Sequence, residues 1–498
     1  MTTHDRSGIT TRADGKLRRV LLRACLVLFG LSPLLATELT LRICSYERRP
    51  IRYDPFLDLS RLQPLFESTP DGRFQIPASR LRLFAPAEFS VHKEANTRRI
   101  FCVGGSTTQG EPYRPPTAFP EWLRLNLELI APDIDWEVVN CGGLSYATYR
   151  MLPIVEEVLD YEPDLIIVEC GHNEFLEERE LSGWKRVPGV AVRALSYLHS
   201  LRVVEYASSK LTGTRDREPD VPKTRLRTEV DALLDNRGGL ESYQRGRLDA
   251  AAVVASLRWN LREMVAACRQ RRVPIVLLVP TANIRDCPPF KVQLPQRLDS
   301  DSRAKADALW DTVRVPGKSA EQIESAMTRL LELDPGHAGA AFVLGRGELQ
   351  RGRIDVARDQ LVRAKDNDVC PLRATTEIQA AIRQVAAAAD VWSLDVDSLF
   401  RSLSDDGLVG DKQLVDHVHP RIEGHQRIGE SLAELLLDRG WISATDDRWV
   451  ERRPSEYQQH LSSLGEDYFI RGQQRLQGLI LWTQGRSSRA LRQNSDFL

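Results

Sequence analysis

Short, largely apolar runs alternate along the middle of the chain with segments of helical period. The runs 165–170 and 273–279 are dominated by Val, Ile and Leu, while 98–103 and 136–140 carry Ile100-Phe101-Cys102-Val103 and Val138-Val139 beside polar residues. Between them lie 119–130, 149–159 and 257–270, where apolar residues recur three and four positions apart, the spacing of one buried helical face. A strand that is apolar on both faces needs cover on both. That condition is met by a parallel sheet flanked by helices. A fifth run, 391–396, and a closing helix, 421–437, continue the alternation, so the pattern predicts an α/β domain over 98–303 and 372–440.

Two long segments break this order. From 178 to 249 the chain is charged and partly helical. It follows the run at 165–170 so closely that we expect a lid over a site, a solvated surface excursion being the alternative. From 304 to 371 the composition turns to Ala, Leu, Arg and Glu, and 338–371 resembles a tetratricopeptide repeat, with Leu344, Gly345, Ala357, Leu361 and Ala364 at that motif's spacing. One repeat and a fragment cannot stack into an independent solenoid, so this α-helical insertion is expected to pack on the main domain, binding of a protein partner being the alternative. The tail, 441–498, is expected to add a helical extension centred on 466–486.

The N-terminus changes the picture of location. Arg6, Arg12, Lys16, Arg18, Arg19 and Arg23 precede a stretch that is mostly apolar from 20 to 43, though free of charge only from 24 to 37. We expect a basic cytoplasmic tail over 1–19 and a transmembrane signal-anchor helix over 20–43, with a cleaved signal peptide as the competing reading. The basic flank orients the N-terminus inward and the rest of the chain to the extracytoplasmic side. Prolines and aromatics interrupt any helical period over 44–97, which is expected to form a stalk or a flap.

Composition then narrows the classes of function. At 498 residues, 42% hydrophobic, the chain can bury a sizeable core, and 68 basic against 69 acidic residues give a net charge of −1. Nothing in that balance draws it to nucleic acid. Eight cysteines without a C-x-x-C pair speak against a disulfide scaffold and a zinc ribbon. Cys102, Cys141 and Cys170 fall at or just after strands and are expected to be buried thiols.

The candidate chemistry sits at strand ends. Gly104-Gly105-Ser106-Thr107 follows the first strand, Gly171-His172-Asn173-Glu174 the third, and Asp416-His417-Val418-His419 lies far downstream. A serine, an asparagine and an Asp/His pair three residues apart are the parts of an acyl-transfer site, because a base needs an orienting carboxylate. Gly105 and Gly110 have phosphate-loop spacing, but Glu111-Pro112 replaces the Lys-Ser/Thr that would face a phosphate. Thr108 stands where the nucleophile elbow of α/β-hydrolases needs its second glycine. Asp416, His417 and His419, with His425 nearby, also read as a metal cluster lacking a further ligand.

Together these segments resemble the SGNH, or GDSL-like, hydrolase family. Ser106 matches the family nucleophile, with Gly105 in place of the Asp of Gly-Asp-Ser. Asn173 matches the oxyanion-hole asparagine, with Glu174 for the commoner Asp. Asp416 and His419 match the Asp-x-x-His, and Ser145, five residues after Asn140, stands at the glycine of the second block. The resemblance implies a flavodoxin-like three-layer α/β/α fold of about five parallel strands. It implies an ester-cleaving serine mechanism with Ser106, His419 and Asp416 catalytic, and the N–H groups of Ser106 and Ser145 with the Asn173 amide as the oxyanion hole. No metal or organic cofactor is implied. The expected substrate is an extracytoplasmic ester, such as an acylated glycan or lipid. The same site in an O-acyl transferase, or a silent hydrolase domain on a binding scaffold, are the alternatives. Loops 110–113 and 281–286, just beyond the first and fourth strands, are expected to line the cleft.

Overall fold

The computed structural model describes residues 64–178 and 239–486, apart from 248, 316 and 447, and a few positions between 32 and 40. Chain contacts divide it into two units, Met1–Arg52 with Val187–Lys223 and Tyr53–Arg186 with Thr224–Leu498; the sheets and the helices packed on them belong to the second. The anchor expected over 20–43 lies almost wholly outside the described residues, as does the expected lid up to 238. Among the described residues no helix is long and apolar enough to cross a membrane.

Three short strands, β1 (Glu67–Ser68), β2 (Arg73–Gln75) and β3 (Glu88–Ser90), form an antiparallel sheet. The central sheet holds β4 (Thr97–Gly104), β5 (Asp135–Gly142), β6 (Leu165–Glu169), β7 (Ile275–Val279) and β8 (Trp392–Asp395), all parallel, in the order β5-β4-β6-β7-β8. Counted within this sheet the order is 2-1-3-4-5, which puts the reversal of direction between β4 and β6 and opens a crevice at their carboxyl ends.

Alternation along each strand decides which helices cover which face. Phe101, Val103, Ile166, Val168, Leu277 and Val279 point one way, into a core shared with the helices Thr148–Val158, Ala250–Arg271 and Thr376–Ala388. Ile100, Cys102, Leu165, Ile167, Val276 and Leu278 point the other way, onto the helices Phe119–Ile130 and Ile422–Asp438. Both faces of the sheet are therefore dry, which is why apolar residues fill consecutive positions at 100–103, 165–168 and 275–279. Cys102, Cys141 and Cys170 are buried free thiols. The fourth strand begins at Ile275 rather than 273, since Pro274 has no N–H to give a ladder and contributes only its carbonyl, to Ile166 N at 3.1 Å. The fifth ends at Asp395, whose side chain caps the short helix Val396–Ser402.

The described part of the expected stalk is docked on the sheet. Phe89 packs edge-on to Phe101 at 5.3 Å, and the Glu157 carboxylate accepts the N–H groups of Leu65 and Phe66 at 2.6 and 3.0 Å. Arg99, almost fully buried, pairs with Glu137 at 2.6 Å and donates to Ser90 O at 2.8 Å.

Helices Ser300–Asp311, Ala320–Leu333, Ala338–Gln350 and Ile354–Asp366 share an apolar cluster of their own around Trp310, Met327, Leu330, Phe342 and Leu361. A Cβ on Gly345 would come within 2.8 Å of Leu361 Cγ, so glycine there lets the last two helices close up. Arg346 ties this group to the loop after β7 through Asp286 at 2.7 Å. The likeness of 338–371 to a tetratricopeptide repeat rests on its sequence. The chain closes with helices Trp449–Ser463 and Glu466–Arg486. The last of them lies over the 112–113 turn, where Arg475 donates to Pro112 O at 2.6 Å and Tyr113 Oη to Gln473 at 3.0 Å.

Candidate active site

Ser106 is the first residue of a single helical turn, Ser106–Gln109, directly after β4. The register sets Gly104 beside both Gly142 and Glu169, so the loops leaving β4, β5 and β6 emerge at one level. Gly104 is required there: a Cβ would lie 1.9 Å from Thr108 Oγ1 and 2.9 Å from Glu169 O. The turn is thereby pressed onto the sheet edge, with the Ser106 hydroxyl facing out of it.

The Asp416–His419 loop, far away in sequence, meets this turn. His419 Nε2 lies 2.7 Å from Ser106 Oγ, and its Nδ1 lies 2.7 Å from Asp416 Oδ2. With Nδ1–H donating to the carboxylate, Nε2 is left to accept the hydroxyl proton. The second carboxylate oxygen of Asp416 accepts Val418 N at 2.9 Å and His419 N at 2.8 Å, which braces the loop. Asn283 adds a clasp from the end of β7, its amide donating to Asp416 O at 3.0 Å and to Asp411 at 2.7 Å.

Burial disfavours charge on both members of this pair, but their mutual attraction prevails. Burial alone would raise Asp416, yet the His419 and His417 imidazoles hold its carboxyl well below the usual range. Burial alone would lower His419, and the Asp416 carboxylate instead raises it above its ordinary value.

His417 turns toward the same carboxylate. His417 Nδ1 stands 3.1 Å from Asp416 Oδ2, off the hydrogen-bonding line, with the ring held between Phe290 and Trp482. Its ring stands 5.9 Å from the His419 ring and nearly perpendicular to it. Burial lowers the pKa of His417, so it sits there neutral. Asp416, His417 and His419 offer donor atoms within 4.8 Å of one another, the group in which a divalent ion would be held. The His419 nitrogen facing Ser106 would then be turned from base to bystander or ligand. His425 is not part of that group; it is buried, with its pKa lowered by burial to about 3.

Asn173 and Ser145 both come to the same crevice. Asn173 Nδ2 donates to Tyr146 O at 3.0 Å and lies 3.2 Å from where a Cβ on Gly105 would stand, so glycine before the serine admits the amide close to it. Ser145 has φ +59°, the left-handed conformation that glycine adopts most freely. Arg150 holds it there by donating to Ser145 O and stacking on the Tyr146 ring at 4.2 Å. Glu177 anchors Arg150 at 2.7 Å and accepts Tyr149 N at 3.0 Å, while Glu174 accepts Thr148 N and Oγ1 at 3.1 and 2.7 Å. Losing one partner of so buried an ion pair leaves an uncompensated charge, at a cost of about 3–5 kcal/mol. The Glu at 174 thus reaches an N-terminal helical turn, and the same segment carries Asn173.

Sequence reasoning passed over Glu169 and His172. Glu169 ends β6 fully buried, accepts Thr108 Oγ1 at 3.2 Å and has its pKa pushed up by burial to about 7. His172 accepts Ala374 N at 3.2 Å on Nδ1, and burial takes its pKa down to about 3. A carboxyl closing an otherwise apolar strand was the available signal. Asn283 and Asp286 of the 281–286 loop line a cavity with Asp411, Asp416 and Arg421, and neither Ser106 nor His419 is part of that lining.

Comparison with known proteins gives likenesses to this chain, the family model over part of it. The GDSL-like Lipase/Acylhydrolase family model matches residues 102–315, a span that contains Ser106, Ser145 and Asn173 and ends before Asp416 and His419. No curated protein matches the chain. Solved structures include a putative lipolytic protein of the G-D-S-L family from Desulfitobacterium hafniense, at 10% identity over 68% of this chain and 99% of that one, TM-score 0.31. An acetylxylan esterase from Geobacillus stearothermophilus matches at 12% identity over 70% and 97%, TM-score 0.32. A lipase/acylhydrolase from Enterococcus faecalis matches at 13% over 69% and 96%, TM-score 0.30. At these values the likenesses carry no argument about substrate.

Proposed function

We propose that this chain is an ester hydrolase in which Ser106, His419 and Asp416 cleave the ester through an acyl-enzyme, a reading supported by the match of residues 102–315 to the GDSL-like Lipase/Acylhydrolase family model. The single observation behind this reading is the pair of 2.7 Å contacts that link Asp416 to His419 and His419 to Ser106. His419 takes the hydroxyl proton as Ser106 Oγ attacks the ester carbonyl. It then returns that proton to the departing alcohol, and a water molecule repeats the sequence to release the acid. Asp416 holds the imidazole in the required tautomer and stabilises its cationic form.

The tetrahedral oxyanion would be received by the N–H groups of Ser106 and Ser145 and the Asn173 amide. Ser106 N is one of the first-turn donors that a helix leaves without an internal acceptor. Such a donor is typically worth about 10²–10³ in kcat. Asn173→Ala is therefore expected to lower kcat by about that factor with little change in KM. An unchanged kcat would remove Asn173 from the hole.

The pH profile tests the base directly. His419 works only when neutral, and its pKa is raised above the ordinary 6.5. Activity is fully present above that raised pKa and is lost as pH falls through it. With p-nitrophenyl acetate as substrate, the acid limb of kcat/KM for the full-length protein in detergent should have its midpoint above 6.5. A midpoint well below the free-histidine value would contradict the assignment.

Location is part of the same proposal. The basic residues before the apolar stretch 20–43 support a single membrane anchor with the N-terminus cytoplasmic and the hydrolase domain extracytoplasmic. Full-length protein should then sediment with membranes after gentle lysis. Recovery in the soluble fraction would count against the anchor.

A further inference from the structure

Under the Ser106 turn lies a buried carboxylate that the acyl-enzyme steps leave unused. Glu169 ends β6, an inner strand of the sheet, and is 5% exposed. Its Oε2 accepts Thr108 Oγ1 at 3.2 Å, and the carboxylate also takes the Gly105 N–H. The two donors stand on either side of Ser106 in the nucleophile turn. Glu169 Oε1 has no hydrogen-bond partner among the described residues and faces His172 Nε2 at 3.7 Å.

The surroundings leave this carboxylate without a permanent cation. His172 accepts the Ala374 N–H on Nδ1 at 3.2 Å and stays neutral, since burial takes its pKa down to about 3. No lysine or arginine among the described residues pairs with Glu169. Beside it lies a cavity of about 10 Å³, lined by Thr107 next to Ser106, by Val418 and Pro420 on either side of His419, and by apolar side chains such as Phe119 and Leu278. Charges that face each other through so apolar a space are little screened. Burial is the largest influence on both groups, lowering His419 and raising Glu169 to about 7, and each favours the charged form of the other.

A buried anion without a cation is costly to keep. Where His419 is neutral at rest, it becomes a cation only while it holds the Ser106 proton, so the charge on Glu169 gains a partner in the transition state and not before. An interaction that strengthens at that point lowers the barrier. We propose that Glu169 is a positioning residue of the esterase, whose carboxylate grips the nucleophile turn from beneath and gives the His419 imidazolium a second negative charge besides that of Asp416. The proposal rests on the Ser106 acyl-enzyme reading.

The test compares full-length wild type, Glu169→Gln and Glu169→Asp on p-nitrophenyl acetate at about pH 8.5, where a carboxyl of pKa about 7 is ionised. Glutamine keeps an oxygen to accept from Thr108 and Gly105 and removes the charge. Its kcat should fall about tenfold with KM within about twofold of wild type, the effect of an opposite charge worth about one pKa unit to the imidazolium. Aspartate keeps the charge, and its kcat should lie within about threefold of wild type. Because glutamine also relieves a buried unpaired charge, its thermal melting should match or exceed wild type. A glutamine variant within about twofold of the wild-type kcat overturns the proposal. So does an aspartate variant no faster than the glutamine one, since shape and not charge would then be at work. A kcat lost together with a fall in melting overturns it as well, because Glu169 would then be holding up the fold. Failure of wild type to cleave the ester at all would instead strike the Ser106 reading.

Discussion

Ser106→Ala should lower the hydrolysis of p-nitrophenyl acetate by about 10⁴-fold or more, leaving only what the oxyanion donors and binding provide. The serine is the atom donor for the covalent intermediate, and the His419 nitrogen 2.7 Å from it has no other nucleophile to activate within the contacts seen. Covalent labelling by a fluorophosphonate should vanish in the same variant. The substitution removes one oxygen at the start of a four-residue helical turn whose backbone is fixed by Gly104 and Thr108, so the thermal melting of the variant should match wild type. Labelling equal in the two proteins would sink the acyl-enzyme reading.

Asp416→Asn should reduce kcat by about 10⁴-fold while sparing the fold. The two oxygens of Asp416 have separate tasks. One accepts the N–H groups of Val418 and His419 and shapes the loop; the other faces His419 Nδ1. An asparagine can keep the first task with its carbonyl oxygen. It presents an N–H to Nδ1, which favours the wrong imidazole tautomer and leaves Nε2 carrying a proton toward Ser106. The buried negative charge that raises His419 is also lost, so burial would keep the imidazole neutral and a poor acceptor of charge in the transition state. Burst-phase and steady-state rates on the nitrophenyl ester, with melting curves alongside, measure this. A kcat within about tenfold of wild type would mean that Asp416 is a loop brace and no more.

The sheet was readable because its strands are buried on both faces. The runs at 98–103, 136–140 and 165–170 became β4, β5 and β6 with ends displaced by one or two residues. The positions of Ser106 and Asn173 were readable for the same reason: each follows directly on such a run, at the carboxyl end where the crevice opens. Glu169 was harder to read. It sits within one of the runs, and its neighbours in sequence gave no hint that Thr108 and His172 would surround it.

The amino-acid sequence by itself determined the strand and helix order, the residue types of the Ser/Asn/Asp-His set and their places at strand ends, since all of these follow from local period and local turns. Only the tertiary structure decided what crosses long separations. Asp416 and His419 lie about three hundred positions from Ser106, beyond an insertion, and no local pattern carries a distance across it. The packing of β4 beside β6 and the Asn283 clasp from β7 carry it instead. The same holds for the rotation of His417 onto the Asp416 carboxylate and the Arg150–Glu177 grip on Ser145. Each depends on which buried polar groups find partners once the core has fixed the elements, and partner choice in a packed interior is a property of the whole fold.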